Sequence, residues 1–381
     1  MRAPQTCLAL LALAVAAGCD RGPASPAIGF TYNWSDDALE RFVQQDVDRA
    51  VAARGGPPIR LLSSRAGGWQ AFGSSPMMAE VRRAQILSDD PDVLVVVGPG
   101  GSREVLQVAP LYAEDGVPML VPTATSQLLD GAGEHLFRMA ANDSLQGAFI
   151  AAFADSALGA RSLAVYHVPD EYGIGLAAGV AAAATARGVE IRKRTPVRLL
   201  QACLDDAGRR YYADLVRALG VRGRPDAVVL AQRTTEAACF TRALRARWPD
   251  LAIIGGDGAY LDASFREIAQ AAAVGTYLVT FWHEDHPGET SRRFVEAFRS
   301  ATGRMPRHGE VVFADAARLA TAAILDGART RDAITAYLRS LGATRPAFAG
   351  ITGPIAFTPG ATRPLFMTRV TPDASTLLVA R

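Results

Sequence analysis

The chain has 381 residues, nearly half of them hydrophobic, and 40 basic against 38 acidic side chains, for a formal net charge of +2. Such a balance offers no basic field for nucleic acid and describes an ordinary soluble globule. Lys193 is the only lysine, which excludes a phosphate-cradling GK[ST] loop and weighs against Schiff-base chemistry.

The first residues carry a charge at Arg2, an apolar core from Cys7 to Ala17 and small residues before Cys19. That core is shorter than the roughly 20 residues of a membrane-spanning helix, so residues 1–18 read as an export signal. Ala16-Ala17-Gly18-Cys19 resembles a bacterial lipobox, with Ala16 where leucine is preferred. It implies cleavage before Cys19, a lipid on its sulfur and a protein anchored on the periplasmic side of the cell envelope; a plain signal peptide cleaved nearby is the alternative. Residues 19–27 form a Pro/Gly/Ser-bearing tether. The remaining body exceeds the size at which one core usually splits in two. Cys203 and Cys239 are then the cysteines left to it. Outside the cytoplasm they either bond, closing a loop of about 36 residues for roughly 3–4 kcal/mol, or stay as two buried thiols.

Ile28 to Tyr32 is the first strand, and Leu39, Phe42, Val43 and Val47 give the next helix its apolar stripe. A strand at Ile59–Leu62 and a helix at Met78–Leu87 follow. Val93 to Val97 is an unbroken aliphatic run, suited to a parallel strand buried on both faces. Gly98, Gly100 and Gly101 allow a tight turn into a helix starting near Ser102, and Pro118 to Val121 is the next strand, with Thr123, Thr125 and Ser126 just beyond its end. Hydroxyls, free backbone N–H groups and a helix N-terminus at adjacent strand ends suit an anion such as a carboxylate, although polar residues there are also common turn formers.

After a looser segment at Leu128–Ala141 the alternation restarts with helices to Leu158, at Tyr172–Arg187, Tyr211–Leu219 and Glu236–Arg247, and strands at Ser162–Val168, Glu190–Pro196, Ala227–Ala231, Ala252–Gly255 and Gly275–Thr280. Helices at Thr290–Thr302, Val311–Gly327 and Thr330–Leu341 come next, and then an alternating, Gly/Pro-punctuated end typical of antiparallel strands. Two series of βαβ units predict two Rossmann-like α/β lobes, each a parallel sheet flanked by helices, with the chain crossing between them more than once.

The order and spacing of several short motifs carry a resemblance. VVVGPGGS, VPMLVPTATS, FRMAANDSLQG, YHVPDEYGIGLAAGV, IIGGDG and FAGITGPIAFTPG are similar to the type I periplasmic binding proteins, above all to the branched-chain amino-acid group of ABC-transporter substrate-binding proteins. The resemblance implies that fold, with a multi-strand hinge joining an N-terminal lobe of residues 28–141 and 281–345 to a C-terminal lobe of residues 142–280 and 346–381. It implies a monomeric solute-binding protein that closes on an amino acid or related carboxylate and delivers it to a membrane permease. Carried over residue by residue, Ser102, Thr125 and the backbone at Gly101 hold the ligand's carboxylate and the Ala124 carbonyl accepts from its ammonium. Tyr172 walls the closed site and Asp257 is the ammonium's counter-charge.

The same residues have plainer readings: Asp257 as a turn former in GGDG, Tyr172 as a packing residue. The chain also departs from the family pattern. Trp34 stands where a Gly/Ser/Ala-rich loop is usual, and either stacks on the ligand or covers the lobe edge. SSRAGGWQAFGSS replaces an acidic turn. Arg233 follows the strand ending at Ala231; pointing inward it would accept a second anionic group, although such arginines are more often exposed.

A sensing protein of the same fold acting on a membrane partner is a second reading, and an exported hydrolase a third. Gly100-Gly101-Ser102-Arg103-Glu104 lacks the second glycine of a G-x-S-x-G elbow. The histidines form no HExxH pattern, and His283-Glu284-Asp285-His286 resembles a lobe-crossing loop more than a metal cluster. Neither catalysis nor a metal or other cofactor is expected.

Overall fold

The computed structural model describes residues 25–32, 37–63, 76–199, 202–221, 223–260, 263–285, 288–361 and 363–380. The expected export signal, Cys19, Trp34 and most of SSRAGGWQAFGSS lie outside them. The chain opens with β1 (Ala27–Phe30), α1 (Ala38–Arg54), β2 (Arg60–Ser63), α2 (Pro76–Asp89), β3 (Val93–Val97), α3 (Ser102–Glu114), β4 (Met119–Val121) and β5 (Leu136–Arg138). These strands form one all-parallel sheet in the order β2-β1-β3-β4-β5. Every residue of β3 is buried, as its unbroken aliphatic run requires. The β3–α3 turn is set by Gly98, whose φ of 100° and contact with the Thr31 carbonyl, 2.0 Å from where a Cβ would stand, leave no room for a side chain.

The chain then crosses to the second lobe, with the Asp143 N–H bonded to the Thr125 carbonyl at 2.8 Å. There follow α4 (Asp143–Ser156), β6 (Ser162–His167), α5 (Glu171–Ala186), β7 (Glu190–Pro196), α6 (Asp206–Gly220), β8 (Ala227–Ala231), α7 (Thr234–Arg247), β9 (Ala252–Gly255), α8 (Ala263–Ala269) and β10 (Tyr277–Thr280). Asn142, Asp170 and Asp205 cap α4, α5 and α6 through their side chains. The Asp205 cap starts α6 five residues ahead of the expected Tyr211, because the apolar stripe marks only the part of a helix that packs. Cys203 and Cys239 are bonded, their Cα atoms 5.6 Å apart, which fastens the approach to α6 onto α7.

A second crossing leads back to α9 (Glu289–Thr302), α10 (His308–Leu325) and α11 (Arg331–Ser340), then to the hairpin β11 (Phe348–Gly350) and β12 (Gly353–Ile355). Phe42 of α1 packs edge-on against Phe294 of α9, and Phe30 of β1 against Phe313 of α10. The last crossing delivers β13 (Phe366–Val370) and β14 (Ser375–Ala380), which complete a seven-stranded sheet in the order β14-β13-β10-β9-β8-β6-β7. Its core is parallel and its β13–β14 edge antiparallel.

The lobe boundary expected at residue 346 therefore falls later. Buried Asp315 of α10 accepts from the N–H groups of Ile351 and Thr352 and from the Thr352 hydroxyl, at 2.5, 2.8 and 2.7 Å, and Phe357 packs on Phe137. The β11–β12 hairpin thus belongs with the first lobe. Alternation in sequence marks a hairpin but not the surface that receives it. Two elements, β5 and α8, were not anticipated; both are short and lack a distinct period.

One arginine locks the returning helices to the first sheet. The Arg331 guanidinium donates to the carbonyls of Val93, Asp115, Ser88 and Asp90 at 3.0, 3.1, 2.9 and 2.9 Å. Its loss leaves partly buried carbonyls unpaired, so Arg331→Ala is expected to destabilise the protein by about 2–3 kcal/mol in urea unfolding, with Arg331→Lys recovering only part. A loss under about 0.5 kcal/mol would mean that water replaces these bonds without cost.

Candidate functional site

Turns leaving β3, β6, β8 and β9 converge between the lobes and enclose a cavity of about 420 Å³. These are carboxyl ends of parallel strands, where an α/β sheet leaves its backbone N–H groups and helix starts free.

The first-lobe wall is Gly100, Gly101, Ser102, Glu104 and Thr123. The Ser102 Oγ accepts from the N–H groups of both Thr125 and Ser126 at 3.2 Å, and the Thr123 hydroxyl donates to the Gly100 carbonyl at 2.9 Å. These bonds join the two polar loops into one rigid wall and leave the Ser102 proton for another acceptor. Ala124 and Thr125 are buried one layer behind, and Thr123 borders the cavity in their place. The Thr125 hydroxyl stands beside Asp143.

Asp257 and Tyr172 form the centre of the second-lobe wall. Asp257 is 7% exposed and held on both sides by Gln146, which donates to its Oδ1 at 2.7 Å and accepts from its N–H at 2.9 Å. The Tyr172 oxygen accepts from the Gly258 N–H at 2.9 Å and stands beside the Asp257 carboxylate. Burial, and then Asp257, hold the Tyr172 hydroxyl well above its ordinary pKa, so it stays protonated and able to donate. Glycines flank Asp257 for a packing reason: Cβ atoms on Gly256 and Gly258 would stand 2.8 Å from the Tyr172 oxygen. Burial pushes Asp257 up to about 6.

Arg233 does point inward, but its guanidinium is bonded to buried Asp170 at 2.6 Å and lies over the Tyr172 ring, 5.8 Å from the centroid. A ligand anion would have to share a charge already matched.

Tyr260, Phe281, His308 and Phe313 add an aromatic side to the wall. His308 stacks on Phe281, and burial pushes its ring down to about 4, so it is neutral at physiological pH. Sequence reasoning missed Phe281, His308 and Phe313 because they reach the cavity only through the return crossing, and missed Tyr260 although it lies three residues past Asp257. It also missed Gln146, whose signal was its position one turn into α4, and Glu104, whose signal was an acid in the first turn after the glycines. A smaller hollow of about 290 Å³ shares Tyr260 and His308 with the cavity. His283, which borders it, meets Ser375 at 3.1 Å and the Asp285 N–H at 3.2 Å; His286 lies outside the described residues. Among the described residues no three His, Cys, Asp or Glu side chains gather as a metal site.

Two lobes meeting over such a cavity match known proteins. A family model described as periplasmic binding protein matches residues 78–375. The chain belongs to the periplasmic binding protein family. As a periplasmic binding protein it is 26% identical over 255 residues to an amino acid binding protein of Pseudomonas aeruginosa, a match covering 65% of this chain and 64% of that protein, so less than two thirds of the relative's length. Among solved structures, a leucine binding protein from Thermotoga maritima superposes with a TM-score of 0.77 at 23% identity, over 93% of this chain and 98% of that one. The branched-chain amino acid transporter substrate binding protein of Streptococcus pneumoniae, in complex with isoleucine, gives 0.78 at 22% over 93% and 99%. A solute binding protein of R. palustris, in complex with benzoate, gives 0.75 at 17% over 93% and 96%. One fold thus holds an aliphatic amino acid in one protein and an aromatic acid in another, and the ligand has to be argued from the cavity.

This periplasmic binding protein can pair a cation at Asp257 and donate a hydroxyl from Ser102 across the gap. Behind both lies Asp143, fully buried at the start of α4, whose carboxyl burial and then neighbouring Asp257 push up to about 8. Its unfolded-state value is near 3.8, so the folded protein holds an extra proton between the two and its contribution to stability is lost as pH rises through that window. Asp143→Asn is therefore expected to raise the melting temperature clearly at pH 8 and little at pH 4. Equal shifts at the two pH values in calorimetry would show that Asp143 is not held protonated.

Proposed function

We propose that this protein captures a small amino-bearing solute, an amino acid or related compound, between its lobes and delivers it unchanged to the permease of an ABC transporter. The observation that carries this reading is Asp257, a buried carboxylate bordering an interlobe cavity and prevented from turning away by Gln146 and Tyr172. A carboxylate out of water is costly unless a cation joins it, and the Ser102 hydroxyl opposite supports a ligand with a polar or anionic second end. In this reading residues 27–138 and 289–357 make one jaw, residues 143–280 and 366–380 the other, and ligand contacts made only when both meet favour the closed state. Ser102, Gly101, Tyr172 and Asp257 touch the ligand, while Ala124 and Thr125 support the wall. Monomeric action from a lipid anchor at Cys19, on the periplasmic side of the envelope, completes the proposal.

A thermal-shift panel of amino acids, amides, dicarboxylates and aromatic acids tests it. Ligand at a hundred times its Kd stabilises the folded state by about 2.7 kcal/mol, so amine-bearing compounds are expected to raise the melting temperature and aromatic acids lacking an amine are not. Asp257→Asn should weaken binding of the best compound by about 2–5 kcal/mol with the fold intact. Unchanged affinity in calorimetry would remove Asp257 from the site.

The pH dependence follows from the value near 6 for Asp257. An ammonium needs the ionised carboxylate, and protonation below pH 6 withdraws it. Affinity is expected to fall by about tenfold between pH 7 and pH 5 in the wild type and to stay level in Asp257→Asn. A level wild-type profile would contradict the pairing.

A further inference from the structure

The cavity holds more negative charge than an ammonium at Asp257 answers. Glu104 borders it from the first lobe and Asp257 from the second, with Asp170 directly behind, and the Arg233 guanidinium is bonded to Asp170. Arg233 interacts electrostatically with Asp257 and Glu104 as well, so one guanidinium faces three carboxylates. His308, neutral, adds no cation. Glu236, buried at the start of α7, also borders the cavity.

Like Asp257, Glu104 forms no ion pair among the described residues and shares only the field of Arg233. Its Oε2 is shut off from solvent and has no hydrogen-bond partner among the described residues. It leans over the first turn of α3, where a Cβ on Gly101 would stand 2.0 Å from that oxygen. It therefore covers part of the turn where a ligand's anionic end would be expected to sit. A ligand with one ammonium pairs Asp257 and leaves the partly buried Glu104 without a cation; a ligand anion alone would meet repulsion from both.

We propose that the cavity selects a ligand with two cationic nitrogen groups joined by a short aliphatic segment, one paired with Asp257 and the other with Glu104: a basic amino acid or a diamine. This rests on the interlobe capture proposed above and specifies its ligand class. The ligand's aliphatic segment meets Phe281 and Phe313, and a carboxylate, if the ligand has one, is left to Ser102 and the partly engaged Arg233.

Calorimetric titration of the full-length protein with ornithine, norleucine and 1,4-diaminobutane tests this. Ornithine and norleucine have side chains of equal length and differ in one terminal charge. Ornithine is expected to bind at least about tenfold tighter than norleucine, and Glu104→Gln to bring that ratio close to one. Tight binding of 1,4-diaminobutane assigns the diamine class, and binding of ornithine alone assigns the basic amino acids. Norleucine binding as well as ornithine in the wild type, or a ratio unmoved by Glu104→Gln, overturns the inference while leaving capture at Asp257 intact. Failure of all three to bind overturns the inference, and affinity of the best thermal-shift compound indifferent to Asp257→Asn overturns capture and inference together.

Discussion

Asp257 is fixed in place from both sides before any ligand enters. Gln146 grips its carboxylate and its N–H, and Tyr172, bonded to the Gly258 N–H, stands beside the same carboxylate. These hydrogen bonds offset part of the cost of a buried negative charge, and the raised pKa shows that they do not offset it all. What remains is an unmet demand for positive charge at one point of the cleft. The glycines that let Tyr172 approach, the α4 crossing that brings Gln146 to β9 and the return of α10 over the cavity all serve that point.

Across the cleft His308 of α10 lies against Tyr260, ring centroids 5.2 Å apart, and an ion pair joins the lobes. Arg103 of α3 meets Glu171 of α5 at 2.9 Å, but each side chain is about one-third exposed, and such pairs contribute roughly 0–1 kcal/mol. A contact of that size can orient closing jaws without committing them. In the proposed reading, pairing a buried carboxylate is worth several times more, so a bound cation, and not the protein's own surface charges, would decide between open and closed. Stiff lobes suit this division of labour. Arg331 ties α11 to the first sheet, Asp315 pins the β11–β12 hairpin to α10, and the Cys203–Cys239 bond secures the far side of the second lobe.

Much of the fold was legible because strands buried on both faces have to be written as runs such as Val93–Val97 and Ala227–Ala231, and the helices between them as apolar stripes. The polar loops after β3 and β4 were legible as polar strand ends beside a cleft, but which hydroxyl borders the cavity was not. The loop bends after Val121, and that bend sets Thr123 on the surface and Thr125 behind it. Asp257 in GGDG was readable only beside the family resemblance, since the reason for its glycines is the ring of a tyrosine 85 residues earlier in the chain. Arg233 shows the opposite difficulty: its inward direction was one of two readings, and its partner Asp170, from a different strand end, could not be inferred from local sequence. His308 and Phe313 lie on a helix whose apolar stripe was visible while its destination was not.

The most direct test is a crystal structure of the protein with whichever amine-bearing compound gives the largest thermal shift. The account predicts a cationic nitrogen within hydrogen-bond reach of the Asp257 carboxylate, a ligand that extends to the Ser102 turn, and Arg103 still against Glu171. A ligand that touches one lobe alone, or that sits in the smaller hollow beside His283, would contradict it.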